Sequence, residues 1–512
     1  MRHFSLGKGR GGSILALILS LAFLSSASIA VASGDRAGAA TPDVQVADEH
    51  PSLDGPSFQN LNGFMWYYNT YFGYKFSDIR RDLDSLRRRG IRVLGFFSPY
   101  QGDPNWCDGC DPVDFYSVPP QNGTMQDWRD LVSAAHRKGM KVVAYFVNIY
   151  MDANSPFFKT AQLQYAAGDR TSREVSSFRW TTNPADPLPR LRNGPPSWSK
   201  WEYSPIAGAY YWKLWFGPGF DFDWPGSRAE LDRIEKFWLD TGLDGFMWDV
   251  GRLDPAFHYH SVELPTTYTP NEKWLTFERG GSASADAFHD FGLNAWFNYR
   301  DDDTTNDYTR IVDGTVDANG LEAGLANADH ARALGATTHT WSIWGDEEFE
   351  NLIPHIYPTY PNDEVMRVQE AALLAGAGIH YGAGMYDQYI RWSPTLRANW
   401  ERVLQTVNDN KALLPSADRF RVPAGSDPKA YAMRRTSADG RQTALLIYNF
   451  NSTAANVTVD LTGTGISMNQ KPKDLYNGGT GPAIKGTSYT VSLPAYGFKI
   501  LRVSTRRSDD ER

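Results

Sequence analysis

The chain has 512 residues, 41% of them hydrophobic, and a formal net charge of −8 at pH 7. That length accommodates one large core plus a smaller second domain. The acidic balance, with no basic cluster, argues against nucleic acid or an anionic membrane surface as a partner. Aromatic residues make up 14% of the chain and include 17 Trp, more than an ordinary core needs. Their flat faces suit stacking on sugar rings, with a Trp-rich core as the plainer alternative.

In chain order, Met1-Arg-His with Lys8 and Arg10 forms a positive start. An apolar run from Ile14 to Leu24 and the small residues Ala30-Val-Ala32 follow. This is the pattern of an export signal over residues 1–32, so the mature chain is expected to be secreted. The apolar run is too short for a membrane span, and no later segment approaches the roughly 20 apolar residues one requires. Residues 33–55, rich in Gly, Ala and Asp, read as a linker.

From residue 56 strand and helix patterns alternate. Phe64-Met-Trp-Tyr-Tyr, Gly90 to Pro99 and Lys141 to Val147 read as strands. Between them lie amphipathic helices, Ser77 to Arg89 and Thr124 to Lys138, the second with Thr124 as N-cap and Gly139 as stop. A Pro-, Gly- and Trp-rich excursion over about 148–223 precedes a helix from Arg228 to Thr241. The alternation, carried to residue 417, predicts an α/β fold: a (β/α)8 TIM barrel with an inserted loop subdomain after strand 3. Past residue 418 the pattern becomes short strands separated by Gly, Asn and Ser turns, predicting a C-terminal antiparallel β-sandwich over 418–505.

The barrel strands end in acids. Gly242-Leu-Asp-Gly-Phe-Met-Trp-Asp249 is an apolar run closing on a carboxylate. Trp274-Leu-Thr-Phe closes on Glu278, and Thr340-Trp-Ser-Ile-Trp-Gly on Asp346. In a β/α barrel the C-terminal strand ends form the active-site face, so acids there are catalytic candidates. Three of them suggest glycoside chemistry, in which two carboxylates flank the scissile bond. A single such acid is as readily a helix cap or an ion-pair partner.

Four stretches then carry a family resemblance: Asp111-Pro-Val-Asp-Phe-Tyr-Ser-Val followed by Asn122-Gly-Thr-Met-Gln-Asp-Trp; Ala134-Ala-His-Arg-Lys-Gly-Met-Lys-Val-Val; Gly208-Ala-Tyr-Tyr-Trp-Lys-Leu-Trp-Phe running on to Asp223-Trp; and Phe237-Trp-Leu-Asp-Thr-Gly-Leu-Asp-Gly-Phe. In this order they resemble the α-amylase superfamily, glycoside hydrolase family 13. Exo-acting members such as oligo-1,6-glucosidases and trehalose synthases are the nearest in pattern. The resemblance implies a retaining glycosidase with Asp249 as nucleophile and Glu278 as general acid/base. Asp346 would be the third carboxylate, hydrogen-bonding sugar hydroxyls, with Glu347 and Glu348 leaving a one-residue ambiguity there.

The chain departs from the family around the glucose-reading positions. The family's Arg two residues before the nucleophile is Met247. Tyr145 and Tyr150 replace the Asp and His that end the third strand. Trp344-Gly-Asp346 stands where the family has Asn-His-Asp, and Cys107-Asp-Gly-Cys-Asp111 where exo-glucosidases have Asp-x-Gly-Tyr-Asp. Substrate contact is therefore expected from Asp111, Tyr145, Tyr150, Met247, Trp248 and Trp344, in a pocket that no longer reads ordinary glucose in the family's way. Trp296 is a further stacking candidate. Two other readings accompany hydrolysis: transglycosylation or isomerisation of small α-glucosides, and a degenerate barrel that binds saccharide without cleaving it.

Cys107 and Cys110 are the only cysteines. With no second pair to complete a zinc site, and with an export signal, they are read as a small structural disulfide. His258 and His260 are read as a loop-surface pair rather than metal ligands. Asp301-Asp-Asp303 is read as a solvated turn, since it lacks an ordered calcium-loop pattern. No cofactor or metal is expected, carbohydrate is the expected partner, and the sequence leaves the oligomeric state open.

Overall fold

The structure is a computed structural model. It describes residues 57–505 apart from 69–72, 104–110, 191–197, 251–254, 269–271, 280–284, 294, 298–306 and 342–361. The export signal, the Cys107–Cys110 pair, Asp301 to Asp303, Trp344 and Asp346 lie outside the described residues. Leu53–Arg512 forms one compact unit.

Eight parallel strands make the central sheet: β1 (Phe64–Tyr68), β2 (Val93–Phe97), β3 (Lys141–Phe146), β4 (Gly245–Val250), β5 (Trp274–Arg279), β6 (Ala295–Phe297), β7 (Thr337–Trp341) and β8 (His380–Met385). Their spatial order is β5-β4-β3-β2-β1-β8-β7-β6. This is chain order wrapped round on itself, so the two outermost strands of the list are consecutive in sequence, as in a (β/α)8 barrel. The interior is packed solid: at Gly95 on β2 an added Cβ would come within 2.3 Å of the Trp66 ring, so only glycine lets that indole cross the barrel.

The helices form where spacing and caps dictate. α1 (Phe76–Arg88) buries Phe76, Ile79, Leu83 and Leu86, a spacing of three and four residues that makes one apolar stripe. α2 (Met125–Arg137) starts with a complete capping box between Thr124 and Asp127, the N-cap expected from sequence. After β3 the chain makes a long excursion. It holds α3 (Pro156–Ala166) and a hairpin of Ser199–Ser204 with Ala209–Leu214, and returns through α4 (Pro225–Leu239) to β4.

The C-terminal strands β9 (Asp418–Val422), β10 (Ala430–Thr436), β11 (Thr443–Asn449) and β14 (Phe498–Val503) join the short strand Lys473–Asp474 in an antiparallel sheet. β12 (Ala455–Asp460) pairs with β13 (Ser488–Leu493). The larger sheet is buried on both sides. Tyr431, Met433, Leu446, Tyr448 and Ile500 belong to the barrel's core, whereas Ala430, Ala432, Leu445, Ile447 and Leu501 pack with Val457, Val459 and Val491 of the β12–β13 pair. The antiparallel region therefore shares its core with the barrel instead of standing apart. Arg419 fixes the join, binding Glu322 at 2.6 and 2.9 Å and Asp329 at 2.6 and 2.8 Å.

Candidate active site

Side chains alternate across a strand, so β4 divides into two sets. Gly245, Met247 and Asp249 point one way, and Phe246 and Trp248 the other. The interior set is identified by its contacts. Tyr145 on β3, in register with Met247, donates its hydroxyl to Asp249 Oδ1 at 2.8 Å. Phe97 on β2, in register with Tyr145, stacks on that phenol at 3.9 Å between ring centroids, 8° from parallel. The stack fixes the phenol, and the phenol fixes the carboxylate. Asp249 is 3% exposed and Met247 is fully buried beneath it.

A second carboxylate–phenol pair lies in the same region. Tyr150 donates a short hydrogen bond to Asp111 Oδ1. Between the two pairs sits Tyr100, whose hydroxyl accepts the Val147 backbone N–H at 3.1 Å and lies 3.0 Å from Ser98 Oγ. Ser98 itself holds a left-handed backbone, φ 50°, an uncommon conformation for a residue other than glycine, of the kind that gathers at functional sites. Burial pushes the Asp111 carboxyl up to about 7. The Tyr150 hydrogen bond opposes that rise, and the charges of Asp152 and Asp103 reinforce it. Tyr100 and Tyr150 are also raised, first by burial and then, beyond their hydrogen bonds, by the negative charges of Asp249 and Asp111. Both acids thus act on the same phenols. Among the described residues the region gathers two carboxylates and three phenols.

Glu278 lies on β5 at the C-terminal end. The register pairs Trp248 with Phe277 and Val250 with Arg279, which sets the backbone of Glu278 opposite that of Asp249; its side chain lies outside the described residues. Trp296 is on β6, its side chain likewise undescribed.

Two sequence expectations need correction. Trp248 is not on the site's face. Strand alternation turns it to the helix layer, where it is fully buried and stacked on Phe246 at 5.5 Å. It therefore has no free face for a sugar. His258 and His260 are not a loop-surface pair: both are helical, and His260 is fully buried with Nδ1 2.7 Å from Asp232 Oδ1. Sequence reasoning also missed Tyr100 and Phe97. The first was findable as an aromatic just past a strand end; the second is an ordinary core letter until the register is known.

Among the described residues no group of three or more His, Cys, Asp or Glu side chains is placed to hold a metal ion. No described helix is long and apolar enough to cross a membrane.

Residues 58–291 match the model of the α-amylase catalytic domain, a stretch that runs from just before β1 through β5 and holds Asp111, Tyr145, Tyr150, Asp249 and Glu278. Over that stretch the barrel is similar to the α-amylase catalytic domain. The chain is 31% identical over 170 residues to an oligo-1,6-glucosidase from Parageobacillus thermoglucosidasius, covering 33% of this chain and 29% of that protein. It is 30% identical over 177 residues to a trehalose synthase from Thermus thermophilus, covering 34% and 17%. The match thus spans less than a third of the length of either relative. In three dimensions it is similar to an α-amylase from Geobacillus thermoleovorans solved with acarbose. That match has a TM-score of 0.66 and 14% identity, over 88% of this chain and all of that one. At such identity the likeness concerns the fold.

Proposed function

We propose that this chain is a retaining glycosidase of the α-amylase family acting on α-linked oligo- or polysaccharide, with Asp249 as nucleophile and Glu278 as general acid/base. One observation carries the reading. Asp249 is a buried carboxylate on the interior face at the C-terminal end of β4, held by the Tyr145 phenol at 2.8 Å, with the backbone of Glu278 opposite it on the next strand.

In this reaction an Asp249 oxygen bonds to the anomeric carbon as the bond to the leaving oxygen breaks. The Glu278 proton goes to that oxygen. Glu278, now a carboxylate, takes a proton from water, whose oxygen then displaces Asp249, so the configuration is retained. The geometry required is a separation of about 5–5.5 Å between the two carboxyls. Tyr145, donating to one oxygen of Asp249, helps to orient the attacking carboxylate. Asp111, Tyr150 and Tyr100 would line the glycone side. Asp346 is proposed as the third carboxylate, and the N-terminal charge and hydropathy pattern supports an exported enzyme. Transfer to an acceptor sugar in place of water is the second reading, supported by the trehalose synthase relative.

The test is incubation of the purified chain with α- and β-linked oligosaccharides and aryl glycosides, beside the Asp249→Asn variant. Release of product with retained anomeric configuration, absent from the variant, is the expected result. Saccharide binding without turnover across the panel would replace the enzyme by a binding barrel.

A further inference from the structure

The excursion after β3 leaves a group of large aromatic side chains at the surface. In its hairpin Ser199 is in register with Leu214, so the residues just beyond the paired ends, Trp198 and Trp215, meet. Their rings stack with centroids 4.5 Å apart, 28° from parallel. Phe216 adjoins Trp215 at 6.1 Å. Trp198 is half-buried, and Trp215 and Phe216 are each 36% exposed. Single exposed aromatics are ordinary, whereas adjoining ones mark a surface that meets a partner.

The backbone is bent to present them. Trp215 holds φ 41°, a left-handed conformation that is costly for a bulky side chain and that glycine adopts freely. Stability alone would favour glycine in this turn, and strain of this kind gathers at functional sites. The turn is also tied to the candidate active site. At Gly217 an added Cβ would come within 1.8 Å of the Met151 carbonyl oxygen, so only glycine lets the two segments approach so closely. The Met151 N–H donates to Pro218 O at 3.2 Å and the Phe220 N–H to Ile149 O at 2.8 Å. These bonds bracket Tyr150, which forms a bridge with Gly219 and whose ring meets Phe216 edge-on at 6.1 Å. Trp198, Trp215, Phe216 and Tyr150 thus make one run of rings, from solvent to the phenol that holds Asp111.

The charges alongside point to the chemistry of the occupant. Lys200 and Lys213, on the strands that lead to the two tryptophans, are both engaged by Glu202, at 2.5 and 3.1 Å, which argues against an anionic ligand. Aromatic faces flanked by paired charges suit a neutral ring with an apolar C–H face, which is what a pyranose offers.

We propose that Trp198, Trp215 and Phe216 form an aromatic platform for the units of a saccharide chain beyond the one held beside Tyr150, so that the preferred ligand is an extended chain. The proposal deepens the glycosidase reading and rests on it for the place of the reacting unit; its test reads binding.

The experiment measures by calorimetry the binding of α-1,4- and α-1,6-linked glucose disaccharides and hexasaccharides. The parent protein is Asp249→Asn, which leaves the chains uncleaved, and it is compared with the same protein carrying Trp215→Gly, Trp198→Ala or Trp215→Phe. In one of the two series affinity is expected to rise about tenfold or more from disaccharide to hexasaccharide. Trp215→Gly and Trp198→Ala should each shrink that rise to within about twofold, while Trp215→Phe, which keeps a ring, should retain most of it. Trp215→Gly should also hold its melting temperature, because glycine relieves the left-handed backbone. If that variant does not fold, Trp198→Ala decides alone. No binding of either hexasaccharide, no rise with length, or a rise that both variants keep would overturn the proposal. A concentration-dependent dimer that Trp215→Gly abolishes would overturn it as well, by making the patch a self-association surface. Turnover of aryl glycosides is read separately on the chain with Asp249 in place. Length-dependent binding without turnover would remove the nucleophile and leave the platform, and turnover without length dependence would do the reverse.

Discussion

Immediately before β4 stands Asp244, and at the other end of the same strand stands Asp249; both are buried, at 0% and 3% exposure. Asp244 is matched with basic side chains and an amide: His136 Nε2 at 2.6 Å, Lys141 Nζ at 3.4 Å and the Val142 N–H at 2.8 Å. Burial pushes its carboxyl up, but the His136 hydrogen bond and the charges of His136, Lys141 and Lys273 outweigh that and hold it below the usual range. Among its described contacts Asp249 receives the phenol of Tyr145. The two acids thus mark the two ends of the strand, Asp244 on the face that β/α barrels devote to stability and Asp249 on the face where their reactions take place.

The comparison breaks most sharply at Asp249 itself. Asp249→Asn removes the proposed nucleophile and leaves a hydrogen-bonding amide, so kcat is expected to fall on the order of 10⁴-fold or more. The melting temperature should stay near that of wild type. A variant retaining a tenth of wild-type turnover on the same substrate would sink the assignment. Asp244→Ala should do the reverse. Removing one partner of a buried charged network costs about 3–5 kcal/mol, read by chemical denaturation, while the protein that remains folded keeps its kcat. Tyr145→Phe sharpens the contrast at smaller cost. It deletes one hydroxyl from a stacked ring whose packing on Phe97 survives, and kcat should fall about 10- to 100-fold through loss of a charge-directed hydrogen bond of about 1.5–3 kcal/mol. Stability should hardly change, and a fall in melting temperature without a fall in kcat would move Tyr145 to the structural side.

How much of this could be read from the letters follows from what each feature depends on. β1, β3, α1 and the Thr124 cap were legible because they are set by local periodicity and by one side chain answering the backbone three residues on. Asp249 and Glu278 near the ends of β4 and β5 were legible because strand-end position is a local fact. Trp248 was not. An apolar run such as Gly-Phe-Met-Trp carries no alternation of polarity when both faces are buried, so nothing local says which letters face the interior; that is decided by Tyr145 on another strand, which meets Asp249, and by Phe257, which meets Trp248. His260 failed for the same reason, as its burial depends on Asp232, 28 residues earlier. The substitutions of Tyr145 and Tyr150 for charged family residues were visible. Their pairing with Asp249 and Asp111 required the register.

Asp111 offers the finest test, because its pH dependence should run opposite to that of Asp244. The folded-state carboxyl of Asp111 titrates at about 7, whereas an unfolded Asp titrates near ~3.9. Between those values the unfolded chain has lost a proton that the folded chain keeps. The folded state binds more protons there, and this group's contribution to stability falls as pH rises from about 4 to 7, then levels off. For Asp244 the folded value lies below the unfolded one, so its contribution is present above the unfolded value and is lost as pH falls through the folded one. Asp111→Asn should therefore gain on wild type as pH is raised through that window, by no more than ~1.4 kcal/mol per pH unit, with little difference at pH 4. Denaturation curves for both proteins at three pH values give the slope. A difference that shrank as pH rose would mean that Asp111 is held ionised in the fold, as Asp244 is, and the contrast between the two ends of the barrel would then rest on Asp249 alone.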